Sequence, residues 1–389
     1  MLIQPAPLLH SLNLSSDECA IPFNLLGDDA PRLTRLTIEG CEFPHNSPLL
    51  RNLTSLKLSG GYETTFEERL YKALRLMPAL EYLGLAEVYY DAPDDEVIAT
   101  LPRLQQLDLE GTQLSCSSIF NYISFPGTTV VQIDISGTDD PEDYGDLNTF
   151  GANVARILSP EFYPGHQRII KTLSTDTDDD CEGYSFTLSA CTTLPFDCRF
   201  HDHSRYPPNL SVNIDWSENY DLYGATDTSL FDSLFKLAFW TLHLPALETM
   251  HIGAFAHSDH ASLTTILVDA FMPRLWSIPL RTLVVDGRVD YLPRLLMWYE
   301  PGYRGLPLPA LEALVLTHID PNKQMVEELY ECLEFRSRQD IQLQKLILWE
   351  SGSCSGMGRL REFVGEVDCD DAPISTDEES MDSSVVEDS

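Results

Sequence analysis

The chain has 389 residues, 61 of them Asp or Glu against 25 Lys or Arg, giving a formal net charge of −36 and a pI near 4.4. Hydrophobic residues make up 43% and aromatics 10%, which is globular usage and not that of an unfolded chain. Such a charge cannot neutralise phosphates, and no apolar run reaches the ~18 residues that span a bilayer, so nucleic acid and membrane are excluded as partners.

The opening MLIQPAPLLHSLNL lacks a basic segment and meets Pro5 and Pro7 at once, so it does not read as a secretory leader. From there one phrase, L-x-x-L-x-L, recurs, often preceded by Pro-x. Its copies start at Leu9, Leu33, Leu53, Leu80, Leu104 and Val130, with spacings of 24, 20, 27, 24 and 26 residues. Between copies, Phe66, Leu70, Leu74 and Met77 share one face of a helix. NTFGANVARIL gives another helical return.

The stretch 136–244 is less regular. RIIKTLSTD, YSFTLSA and LSVNIDW alternate like strands, which predicts two further repeats near Ile170 and Val212 with a hairpin or extra strand inserted around Tyr184–Leu188, a separate small domain being the competing reading. Within it, Cys191, Cys198, His201 and His203 are permissible zinc ligands, the basis of an alternative metal-binding or enzymatic reading. Their C-x6-C-x2-H-x-H spacing fits no common structural site, so loop residues without metal are the simpler expectation. The phrase then returns at Leu247, Leu280, Leu311 and Leu343, at spacings of 33, 31 and 32, with room for fuller helices. Met325, Leu329 and Leu333 mark one of these. From residue 366 to 389 there are ten acids and no base, an acidic disordered tail. The remainder still carries −26.

In x-L-x-L two apolar residues point into a core and their neighbours point away, as strand alternation demands. Each strand needs a return segment, and no unit buries its apolar face alone. The expected fold is therefore α/β: a leucine-rich-repeat solenoid over residues 1–365, with a concave parallel sheet and a helical or irregular convex side. The prolines are expected to end the preceding helices.

The segment from Phe23 to Gly60 resembles the opening repeats of the F-box and leucine-rich-repeat proteins expanded in mushroom-forming fungi. The phrase "LxG-x-AP-x-L-x-x-L" is met by Leu26, Gly27, Ala30, Pro31, Leu33 and Leu36. The one that follows is met by Cys41, Pro44, Ser47, Leu49 and Leu50. The resemblance implies a substrate-recognition region of a ubiquitin ligase receptor. No L-P-x-E-[LI] F-box helix occurs in the sequence, so either a truncated receptor or a stand-alone repeat protein is expected. A Skp-type adaptor is implied as a partner only where an F-box lies upstream.

No G-x-S-x-G, G-x-x-x-x-G-K-S/T or H-E-x-x-H motif occurs, so no catalytic residue and no cofactor is expected. Nine irregularly spaced cysteines suit free thiols in a cytoplasmic or nuclear setting. What remains for function is the outward face of the strands, a protein-binding surface. Its candidates are Arg35, Glu39, Lys57, Tyr82, Gln106, Asp108, Glu110, Asp134, Lys345 and Trp349. Asp108, Glu110 and Asp134 form an acidic strip on adjacent strands, with Tyr82 and Trp349 as aromatic anchors. A basic protein segment is the expected ligand.

Overall fold

Alternation in the repeat phrase sets the sheet, and short turns set where each strand begins. The computed structural model describes residues 3–21, 24–42, 45–60, 69–87, 98–136, 150, 152–154, 170–180, 183–192, 208–217, 244–253, 277–287, 292–297, 306–319, 323–349 and 357–369. In chain order the strands are β1 (Ser11–Ala20), β2 (Arg35–Glu42), β3 (Ser55–Ser59), β4 (Tyr82–Ala86), β5 (Ala99–Thr100), β6 (Gln106–Gly111), β7 (Ile123–Ser124) and β8 (Val130–Ser136). They continue as β9 (Thr172–Asp180), β10 (Gly183–Cys191), β11 (Leu210–Ser217), β12 (Thr249–Ile252), β13 (Thr282–Asp286), β14 (Ala313–Thr317), β15 (Leu343–Trp349) and β16 (Val364–Cys369). The described helices are α1 (Arg69–Leu74), α2 (Gln113–Tyr122), α3 (Leu292–Met297) and α4 (Lys323–Arg338). This is an α/β fold built on one large mixed sheet of 14 strands; β5 and β7 form a separate pair.

The sheet runs β1-β2-β3-β4-β6-β8-β11-β10-β9-β12-β13-β14-β15-β16. All neighbours are parallel except the two pairs made by β10. Register is fixed by the apolar residues. Leu12, Leu36, Leu56, Leu83, Leu107 and Val131 stand opposite one another in successive strands, and so do Met250, Leu283, Leu314 and Leu346. A slip of one residue would turn every one of these to the other face, which is why the register holds. Most are fully buried in one continuous core. Behind the sheet, Met325, Leu329 and Leu333 of α4 are buried as their helical spacing requires.

Four expectations are corrected. The prolines do more than stop helices. In Ala30-Pro31-Arg32-Leu33, Met77-Pro78-Ala79-Leu80, Leu101-Pro102-Arg103-Leu104, Leu244-Pro245-Ala246-Leu247 and Leu308-Pro309-Ala310-Leu311, the leucine N–H donates to the carbonyl three residues back at 3.0–3.2 Å. Proline, with its fixed φ, thus fills the second position of a β-turn that feeds each strand.

The second correction concerns the centre. The extra strand exists as β10, but β9 does not lie beside β8; β11 does, and β9 pairs with β12. Only two residues separate Asp180 from Gly183, so β10 must return antiparallel to β9, and β11 reverses again. The chain therefore walks backwards across the sheet for three strands.

The third concerns β8, whose apolar residues are offset by two. Val131, not Ile133, stands opposite Leu107, and at the entry to the strand Thr129 donates its hydroxyl to the Leu104 carbonyl at 2.7 Å. Lastly, β16 carries the sheet through Cys369, four residues into the segment assigned to the tail. Val364, buried against the core, and Lys345, which pairs with Glu366 at 3.7 Å and Asp368 at 3.5 Å, hold it there. The tail beyond, residues 370–389, lies outside the described residues.

Candidate functional site

The face of the sheet opposite the main core carries rows of residues that run across the strands. One row passes from Lys57 on β3 to Gly84 on β4, Asp108 on β6 and Gln132 on β8. Beside it, Tyr82 stands opposite Gln106 and Glu110 opposite Asp134. The two-residue offset of β8 thus pairs Asp134 with Glu110, not with Asp108, and places two exposed carboxylates on adjacent strands.

Tyr82 and Asp108 form one unit. A Cβ on Gly84 would meet the Tyr82 hydroxyl oxygen at 2.7 Å and its ring carbons at 3.2 Å, so the tyrosine ring lies flat across the glycine toward β6. Its hydroxyl hydrogen-bonds Asp108. Gln106 Nε2 donates to both Asp108 carboxylate oxygens at 3.0 Å. Burial, then donation to the Asp108 carboxylate and the charge of that group, push the Tyr82 hydroxyl up to about 12. The carboxylate is thereby held in place while the residue stays half-buried.

The field of the strip reaches inward. Cys116, on α2, has its thiol pushed up to about 12, first by burial and then by the charges of Asp134 and Glu110. Like Cys41, Cys191, Cys332 and Cys369, it is a free thiol. Held protonated, it is not a nucleophile.

On the other side of Gly84 the sign changes. Lys57 and Arg35 are exposed on β3 and β2, and Glu39 lies farther along β2 opposite Ser59. The remaining candidates do not join this group. Trp349 is on β15, nine positions from β4 in the sheet order, so roughly 43 Å away along the sheet at strand spacing. It packs on Val284, Val315 and Ile347, a second apolar cluster distinct from the main core. Lys345 is taken by the β16 carboxylates.

The two halves of this face differ in access. Arg35, Lys57, Glu110 and Asp134 are exposed, whereas His251 is 3% exposed, Ser174 7%, Val315 0% and Asp286 7%. The second half holds two polar pairs missed in the sequence: Ser174 Oγ with His251 Nδ1 at 2.8 Å, and His318 Nδ1 with Asp286 Oδ1 at 2.7 Å. The first joins residues 77 apart, and depends on β9 lying beside β12, which no local signal showed.

Cys191 ends β10, its thiol raised by burial, while Cys198, His201 and His203 lie outside the described residues. Among the described residues no group of three His, Cys, Asp or Glu could hold a metal. No described helix is long and apolar enough to cross a membrane. No protein-family model matches the chain, and no curated protein matches it in sequence.

Proposed function

We propose that the chain is a non-enzymatic protein-interaction module of leucine-rich-repeat type, an intracellular substrate-recognition region of the kind found in F-box ubiquitin ligase receptors. The ten copies of the repeat phrase and the register of their leucines support the repeat reading, and the fungal-type phrases of Phe23–Gly60 support the receptor. Its ligand is a basic segment of a partner protein, taken on the solvent-open face of β2–β8.

One observation carries the binding reading: Asp108, half-buried and held by Tyr82 and Gln106, lies next to the exposed Glu110–Asp134 pair on the same face. Preset carboxylates lose little side-chain freedom on binding, and a strip of one sign speeds encounter with cations in a salt-dependent way. Surface charge alone gives little affinity, and the Tyr82 ring supplies the apolar area. Charge reversal with Asp108→Lys and Glu110→Lys, followed by pull-down from native extract at low salt, tests this. Loss of partners is expected; an unchanged set would place recognition elsewhere on the molecule.

A further inference from the structure

We infer that the partner segment is dipolar, and lies across the strands in one fixed direction, its acidic end over β2–β3 and its basic end over β6–β8. This rests on the binding reading above and specifies its ligand. The open half of the face is not uniformly acidic. Along a single row the order is Lys57, then the Tyr82 ring lying over Gly84, then Asp108. Arg35 adds positive charge on β2, and Glu110 and Asp134 add negative charge on β6 and β8. Glu39 is the exception: it lies two residues along β2 from the Lys57 row, as Arg35 does in the other direction, and shares the row of Glu110 and Asp134, so the sign change is carried by the Lys57–Asp108 row.

A uniformly basic segment would satisfy the β6–β8 side but meet like charge at Lys57 and Arg35, which costs affinity. An acidic residue there removes the repulsion and forms a pair. Lys57 makes no ion pair with any described residue, so its ammonium is available for one. Lys57 and Asp108 are two strands apart, roughly 10 Å, and an extended chain rises ~3.3 Å per residue, so the two partner charges stand about three residues apart. A residue between them packs on the Tyr82 ring. The C-terminal half of the same face, with Ser174, His251 and Val315 buried, does not extend the surface.

Selection of a random-peptide display library against the full chain at low salt tests this. Enriched peptides should carry acidic and basic residues about three positions apart, in one order along the peptide. The exposed Lys57→Glu variant, checked for an unchanged melting temperature, should shift enrichment to uniformly basic peptides. Enrichment of uniformly basic peptides by the unaltered chain would overturn the dipolar inference and leave the basic-ligand reading standing. Enrichment unrelated to charge, or none, would overturn both.

Discussion

Tyr82 occupies the space that a side chain at Gly84 would need: the hydroxyl oxygen stands 2.7 Å from the Cβ position. Gly84 has ordinary extended backbone, so its role is room rather than conformational freedom. The Gly84→Ala variant is therefore expected to fold, because the clashing atoms are the far end of a rotatable side chain. The ring must lift away and release Asp108. Peptide binding at the strip should fall by more than the melting temperature changes, as titration calorimetry and a thermal melt would show. Equal loss in both would mean that the ring serves the fold and not the surface.

The same pair has a pH signature. The Tyr82 value lies above the ordinary 10.0, near 12, so the protonated hydroxyl favours the folded state. Its contribution is complete below pH 10 and is lost as pH rises toward 12. Denaturant midpoints measured across that window should fall less steeply for Tyr82→Phe than for the unaltered chain. Parallel slopes would show that the hydroxyl is not held by Asp108.

Leu107 is fully buried at the middle of the ladder, between Leu83 and Val131. Leu107→Ala should cost roughly 2–5 kcal/mol in chemical denaturation. Because each strand's buried face is completed by its neighbours, hydrogen exchange should rise in β4 and β8 as well as in β6. Confinement of the change to β6 would contradict that coupling.

Arg336 is fully buried without a carboxylate partner among the described residues. Its guanidinium donates to the carbonyls of Leu296 at 3.3 Å, Pro307 at 3.0 Å and Leu308 at 2.9 Å, tying α4 to the end of α3 and the turn before β14. Burial lowers its affinity for the proton, with the nearby Cys332 opposing. Arg336→Met keeps the length of the side chain and leaves those carbonyls unsatisfied, for an expected loss of roughly 1–3 kcal/mol. A neutral result in denaturant titration would mean that water replaces the donors.

Truncation separates the last strand from the tail. Removal of residues 370–389 should leave the melting temperature nearly unchanged, since β16 and the Lys345 pairs survive. Removal from Val364 onward exposes the full edge of β15, and should lower the melting temperature and promote self-association, visible in light scattering. Equal behaviour of the two truncated chains would place the edge of the sheet elsewhere.

The sequence by itself determined the strands and their inward residues. The pattern L-x-x-L-x-L places Leu36, Leu56, Leu83 and Leu107 on one face whatever surrounds them, because alternation along a strand is a local property. It also supplied the outward residues, Tyr82, Asp108 and Glu110 among them. Three things were decided only by the tertiary structure, since each depends on which strand lies next to which. The reversed order of β9, β10 and β11 rests on β11 lying beside β8 and β9 beside β12. The pairing of Asp134 with Glu110 follows from the two-residue offset of β8 against β6. The separation of Trp349 and Lys345 from the acidic strip follows from the eight strands that lie between β15 and β4, which no spacing in the sequence measures.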